Sequence, residues 1–145
     1  MTNLPAILAL FLGGFAVAVQ APVNGALGRS LGATLPAAAV SFGVGFVLLL
    51  GLSLISNGSA YARLTAVPWW QWLGGFLGAY YVWSVVWGVS STGVLTAMAA
   101  LILGQMCGAL AMDAAGAFGL PVQPISATRL IAVALVASGV VLSRV

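Results

Sequence analysis

Few side chains in this chain could do chemistry, and most of those that could are amides. Its 145 residues carry four arginines, one acidic residue (Asp113) and no histidine, and glutamate and lysine are absent as well. A catalytic triad, a pair of carboxylates or a cluster of metal ligands needs residue types that this sequence does not supply. We therefore expect neither an enzyme nor a metal or cofactor site.

Two amides stand close together near the start of the chain. Gln20 and Asn24 are four residues apart and share one face of a helix, with Pro22 between them. They either bond across helices, each contributing about 0.6 to 2 kcal/mol, or line a cavity that recognises a polar solute. Gln105 has the same two interpretations. Ser41 is a weaker candidate, because serine bonds readily to its own helix.

An aromatic stripe marks the middle of the chain. At about 100° per residue, one helix face collects Trp72, Phe76, Tyr80, Trp83 and Trp87. The tryptophans at positions 69, 70 and 72 fit an interfacial belt. Tyr80 and Trp83 lie roughly 12–17 Å further along, too deep for a belt. The stripe is either a lipid-facing or core-filling surface, or the aromatic wall of a substrate cavity.

Two glycine pairs have the spacing of close helix packing. Gly74 and Gly78 lie opposite the aromatic stripe, and Gly104 and Gly108 flank Gln105. Small residues four apart let another helix approach closely in a membrane. We expect these four glycines to be helix-packing positions.

Asp113 is the only carboxylate, and it stands near the end of an apolar block. An acidic residue inside a membrane is usually functional. This one is expected near the interface, where pairing with Arg129 or Arg63 explains it better than proton or cation coupling.

The elements that must position these residues are five long apolar blocks, at residues 4–27, 35–55, 67–89, 93–112 and 125–142. The chain is 63% hydrophobic and 3% charged, against about 45–50% and 25% in soluble proteins. Such blocks predict membrane-spanning helices, with the first retained rather than cleaved as a signal peptide. We expect a single all-α transmembrane domain over residues 1–145 whose solvent is the lipid bilayer.

The arginines give no preferred orientation. With five spans, Arg63 and Arg129 fall on one side of the membrane and Arg29 and Arg144 on the other. Such a chain should insert both ways and form an antiparallel homodimer, each copy acting as half of an inverted-repeat transporter. The scattered arginines also argue against nucleic-acid binding, which needs a clustered basic face.

Several short motifs occur together in order: Gln20-Ala-Pro-Val-Asn24, Ser41-Phe42 with Gly43 and Gly45, Trp69-Trp70 with Trp72 before Gly74-Gly75 and Gly78, then Gly104-Gln105 and Asp113. With this combination of motifs, the chain resembles the YdcZ family of small bacterial membrane proteins, which is placed in the drug/metabolite transporter superfamily. The resemblance implies five transmembrane helices, the bacterial inner membrane, and kinship to ten-helix inverted-repeat transporters and small multidrug resistance exporters. Those exporters carry a first-helix glutamate that this chain lacks, which argues against cationic-drug/proton antiport.

The sequence and the resemblance together predict a transporter working by alternating access. Two antiparallel chains would enclose a midplane cavity lined by Gln20, Asn24, Ser41, Tyr80, Trp83 and Gln105. Without a buried carboxylate, the solute is expected to be a small neutral, amphipathic or weakly anionic molecule. Two alternatives remain open: a dual-topology ion channel with amide and hydroxyl rungs, and a non-transporting subunit that binds lipid or assists another membrane protein.

Overall fold

The computed structural model describes residues 4–144, and its regular structure is helical throughout this range. The five α-helices are α1 (Leu4–Leu31), α2 (Thr34–Asn57), α3 (Leu73–Thr92), α4 (Val94–Ala115) and α5 (Ala127–Leu142). Short 3-10 helices occupy the connections at Gly58–Ala66, Trp69–Trp72 and Ala117–Gly119. The all-α prediction is confirmed, with one α-helix for each predicted apolar block.

Some helices begin or end at residues other than those predicted from the apolar blocks. α1 continues through Gly28 and Arg29, and the turn into α2 needs only Gly32, which has a positive φ of 68°, and Ala33. A positive φ suits glycine because it has no Cβ. α3 begins later than residue 67, since Pro68 is extended (ψ 138°) and residues 69–72 form a separate 3-10 turn.

Within residues 4–144, three stretches are long and apolar enough to cross a membrane: Leu4–Leu31, Thr34–Ala66 and Val94–Ala115. α5 is apolar but has 16 residues, which span about 24 Å against a hydrocarbon core of about 30 Å. α3 has 20 residues, and its many aromatic, glycine and serine residues dilute its hydropathy. Large apolar side chains face outward as well, with Phe11 70% exposed and Ile55 87% exposed. A helix that is apolar all round suits lipid rather than water.

The described chain divides into two compact units that meet in sequence between Ser91 and Thr92. The prediction of a single domain is left untested by this division. In the first unit, Gly28 of α1 lies opposite Ala37 of α2, and Gln20 opposite Ser41, so the two helices run antiparallel.

Small residues let α3 join this hairpin. The core of the first unit consists of Ala37, Ala38, Val82 and Val86. A Cβ added to Gly28 would lie 3.4 Å from Val86 and 3.8 Å from Ala37, so the glycine sits directly against both neighbouring helices. Val86 of α3 thus reaches both helices through its side chain, and the short side chains opposite it leave a core of little apolar volume.

The second unit is a hairpin of α4 and α5. At one end the Thr96 hydroxyl donates to the Ser143 carbonyl at 3.0 Å, and at the other Asp113 pairs with Arg129. The two contacts make the helices antiparallel. α4 ends at Gly116, which adopts a left-handed φ of 58° and whose amide donates to the Asp113 carbonyl at 3.3 Å.

Candidate functional site

The structure brings three of the predicted polar residues to the facing sides of α1 and α2. Gln20 Nε2 donates to Ser41 Oγ at 3.4 Å, which is long for a hydrogen bond and therefore weak. Asn24, one turn along α1, is only 6% exposed and belongs to the helix's buried face. Its side chain makes no hydrogen bond within residues 4–144. The amide pair thus has far fewer polar partners than its donors and acceptors require.

The aromatic stripe of α3 divides into a packed part and an exposed part. Trp83 is half-buried and packs against the core of the first unit. Its ring centroid lies 6.0 Å from Tyr80 in a tilted contact and 6.2 Å from Trp87 in a stacked one. Tyr80, however, is 61% exposed. Trp83 therefore fills the core at one edge, while Tyr80 and Trp87 present an aromatic surface outward.

The predicted packing glycines have different surroundings. A Cβ on Gly78 would lie 3.5 Å from the Phe42 ring of α2, so this glycine faces a neighbouring helix. Gly74, Gly104 and Gly108 have open space where a Cβ would stand. Close approach at these three positions needs another surface and remains a prediction.

Gln105 lies in the second unit, whereas the other five predicted cavity residues lie in the first. It is exposed near the middle of α4 and makes no hydrogen bond within the described residues. The structure therefore gathers Gln20, Asn24 and Ser41 into one cluster and Tyr80 with Trp83 into another. That all six residues line one cavity remains a prediction.

Asp113 pairs with Arg129, as the sequence predicts. Arg129 Nη2 bonds to Asp113 Oδ2, while Nη1 is buried without a partner among the described residues. Asp113 lies in the last turn of α4 and Arg129 in the first turn of α5. Each charge is unfavourable for the dipole of its own helix, and the contact between them offsets this. The pair therefore has a structural role in closing the hairpin.

One feature that the sequence analysis missed is an open pocket of about 590 Å³ at the α1–α2 turn. Its lining consists of Gly25, Gly28, Arg29, Gly32, Ala33, Thr34, Leu35, Val86 and Ser90. The sequence interpretation treated Arg29 only as a charge that affects orientation. The sequence does contain an indication of this pocket. The glycines at 25, 28 and 32 leave one face of the chain without side chains beside Arg29.

Comparison with known proteins supports a membrane role. The family model described as "Putative inner membrane exporter, YdcZ" matches residues 5–142. The chain is also similar to the inner membrane protein YdcZ of Escherichia coli (strain K12), at 30% identity over 82 residues. This match covers 55% of the chain and 55% of that relative, so the chain spans about half the length of the curated protein it matches. No solved structure matches the chain.

Proposed function

The chain belongs to the YdcZ family of inner membrane proteins, and we propose that it is one half of a small-solute exporter that works as an antiparallel homodimer. Each copy supplies five helices, and the solute passes between the copies by alternating access. The family's description supports the exporter role, and the chain's own charges and exposed groups support the pairing.

The observation that carries this proposal is an exposed glutamine near the middle of a helix in each unit. Gln20 lies about 24 Å along α1, whose 28 residues span about 42 Å, and Gln105 lies about 17 Å along α4. An amide facing hydrocarbon at that depth loses its hydrogen bonds to water. A water-filled or solute-filled cavity between two copies would supply partners for both glutamines.

The chain's charges favour copies in opposite orientations. If all five helices span, Arg63 and Arg129 lie on one side of the membrane and Arg29 and Arg144 on the other. Arginines set orientation by their imbalance, and here the two sides are equal. An antiparallel pair of five-helix chains has the symmetry of a ten-helix inverted-repeat carrier.

The solute class follows from which charges are available. The single carboxylate, Asp113, already bonds to Arg129 and supports the α4–α5 hairpin. The first unit contains arginine but no acidic residue. A hard cation would therefore find no free negative partner in the amide and aromatic clusters. A neutral, amphipathic or weakly anionic solute fits these groups better.

A test that does not require knowing the solute compares the medium of cells that produce the chain with that of cells that do not. We expect at least one small solute to accumulate outside in a chain-dependent manner, and Gln20→Ala or Trp83→Ala to reduce that accumulation by about tenfold. Gln71→Ala is the matched control, since it removes an exposed amide from the 3-10 turn before α3.

Two results would contradict the exporter. One is a medium that does not change with the chain; the other is unaltered export by both Gln20→Ala and Trp83→Ala. Ion currents across a planar bilayer containing the purified protein would indicate a channel instead, because channels conduct far faster than alternating-access carriers turn over.

A further inference from the structure

We propose that the open pocket at the α1–α2 turn is an oxyanion site, in which Arg29 binds a carboxylate or phosphate group. The pocket is separate from the amide and aromatic clusters, and its lining includes none of their residues. It lies at the end of α1, where a ligand can enter from the headgroup region or from water.

The position of the Arg29 side chain is the first argument. A Cβ built on Gly25 would lie 3.6 Å from Arg29 Nη1, so the guanidinium folds back over the preceding helical turn. It makes no ion pair or hydrogen bond within residues 4–144. The only acidic residue in the sequence, Asp113, is already engaged with Arg129. Arg29 is therefore a cation lying along a pocket without a protein anion.

The start of α2 adds donors to the same pocket. Its N-cap residue, Ala33, offers no side-chain hydrogen bond, and position 36 is proline. The amides of Thr34 and Leu35 have no earlier carbonyl in the helix to bond, and both residues line the pocket. The Thr34 hydroxyl also makes no hydrogen bond within the described residues. These groups and the positive end of the α2 dipole reinforce Arg29 on the same ligand.

The walls decide what kind of molecule fits. Gly25, Gly28 and Gly32 leave one wall of bare backbone, while Val86 and Leu35 add apolar surface. The Ser90 hydroxyl donates to the Trp87 carbonyl at 2.7 Å, so its proton is not available to the ligand. A volume of about 590 Å³ lies within the usual range for small-molecule sites, about 300–1,000 Å³. The site suits an amphipathic molecule with one acidic group.

Two sources could supply this chemistry, a soluble solute or a phospholipid headgroup. If the ligand is the exported solute, the site deepens the proposed function by holding the acidic group while the apolar part points toward the bilayer. That transport role rests on the proposed function. The binding of an oxyanion by Arg29 does not depend on it.

The test titrates the purified full chain, in a neutral detergent, with inorganic phosphate and with benzoate, using tryptophan fluorescence and calorimetry. We expect both anions to bind to the wild type. Arg29→Gln should raise Kd by about tenfold or more, because it removes the charged guanidinium and its parallel N–H donors. The Kd of Arg29→Lys should lie between those of the wild type and Arg29→Gln, since lysine keeps the charge but cannot donate two parallel hydrogen bonds. Arg63→Gln, which removes an arginine from another connection, should stay within about twofold of the wild type.

The proposal is overturned if the wild type binds neither anion, if Arg29→Gln binds both as well as the wild type does, or if Arg63→Gln loses as much affinity. Size-exclusion chromatography and circular dichroism establish that each variant is folded. If Arg29→Gln does not fold, the proposal is tested with Arg29→Lys and Thr34→Val. It stands only if both variants weaken anion binding by at least about twofold.

Mixed micelles with and without phosphatidylglycerol separate the two ligand sources. Competition by this lipid against phosphate, seen in the wild type and absent in Arg29→Gln, assigns the site to a headgroup. Phosphate binding that is insensitive to the lipid assigns it to a soluble anion. Because binding is measured without transport, failure here leaves the exporter proposal intact, and failure of export leaves the Arg29 result intact.

Discussion

At the scale of single residues, the polar groups of this chain differ in how well they are satisfied. Arg129 and Asp113 neutralise each other's charge, with side chains 32% and 26% exposed, although Arg129 Nη1 has no partner among the described residues. Asn24 is almost fully buried without a hydrogen bond from the described chain, and Gln20 has one weak bond. An exposed amide with so few partners, such as that of Gln20, is expected to meet a solute or a second copy. The Asp113–Arg129 ion pair is expected to contribute to stability instead.

A double-mutant cycle tests the structural role of the ion pair. Asp113→Asn leaves the Arg129 guanidinium without its counter-charge, so we expect a loss of about 1–2 kcal/mol, between the values for exposed and buried pairs. The double variant Asp113→Asn with Arg129→Gln should be more stable than the sum of the two single losses predicts. Unfolding in detergent mixtures measures this, and additive losses would show that the two side chains do not stabilise each other.

At the scale of helices, the sequence predicted what depends on local composition. Each apolar block predicted a helix, and one α-helix formed for each, although only three stretches of the described residues are long and apolar enough to span a membrane. The exact ends depended on tertiary packing, as at Gly28 and Arg29, which look like a turn yet continue α1 where Gly28 meets Val86. A local pattern contains no information about a partner that lies almost sixty residues away.

The candidate sites, like the helix ends, were predictable only where they depend on local sequence. The amide spacing of Gln20 and Asn24 and the aromatic spacing on α3 were visible in the sequence. The contact of Gln20 with Ser41 required the pairing of α1 with α2. The Arg29 pocket required the end of α3, with Val86 and Ser90, to reach the α1–α2 turn. The pairing of Asp113 was therefore predictable from the sequence, whereas the pocket beside Arg29 became visible only in the folded unit.

The end of α4 offers a matched pair of glycines. Gly116 and Gly119 both have positive φ, but a Cβ on Gly116 would lie 2.7 Å from Val122 Cγ2, whereas one on Gly119 meets nothing within 4 Å. We expect Gly119→Ala to cost about 1 kcal/mol through backbone strain alone. Gly116→Ala should cost at least about 1 kcal/mol more, because Val122 must also move. Equal melting temperatures in detergent for the two variants would contradict this account of how α4 ends.

At the scale of the whole molecule, the groups exposed on the outer surface determine which surroundings the protein needs. Large apolar side chains face outward on the described helices, and lipid can cover them. The exposed glutamines at mid-helix are different, since lipid offers them no hydrogen bonds. We propose that a second copy in the opposite orientation supplies their polar partners, and the even distribution of arginines on the two sides is compatible with both orientations.

Shifting the arginine balance tests this arrangement directly. On five spans, Ser59→Lys with Arg144→Gln leaves three positive side chains on the side of Arg63 and one on the other; Ser91→Lys with Arg63→Gln gives the reverse. Each variant should insert one way only, as reported by C-terminal tags that are active on a single side of the membrane. Wild-type chains should report from both sides.

Export then shows whether both orientations are needed. Either biased variant alone should lose export of the solute identified in the medium, because no antiparallel partner is present. Producing the two together should restore it, since each supplies the orientation that the other lacks. A chain with Ser59→Gln and Ser91→Gln controls for the substitutions without changing charge. If one biased variant exported normally by itself, the protein would work as a parallel or single-copy assembly, and the glutamines of α1 and α4 would need another polar partner.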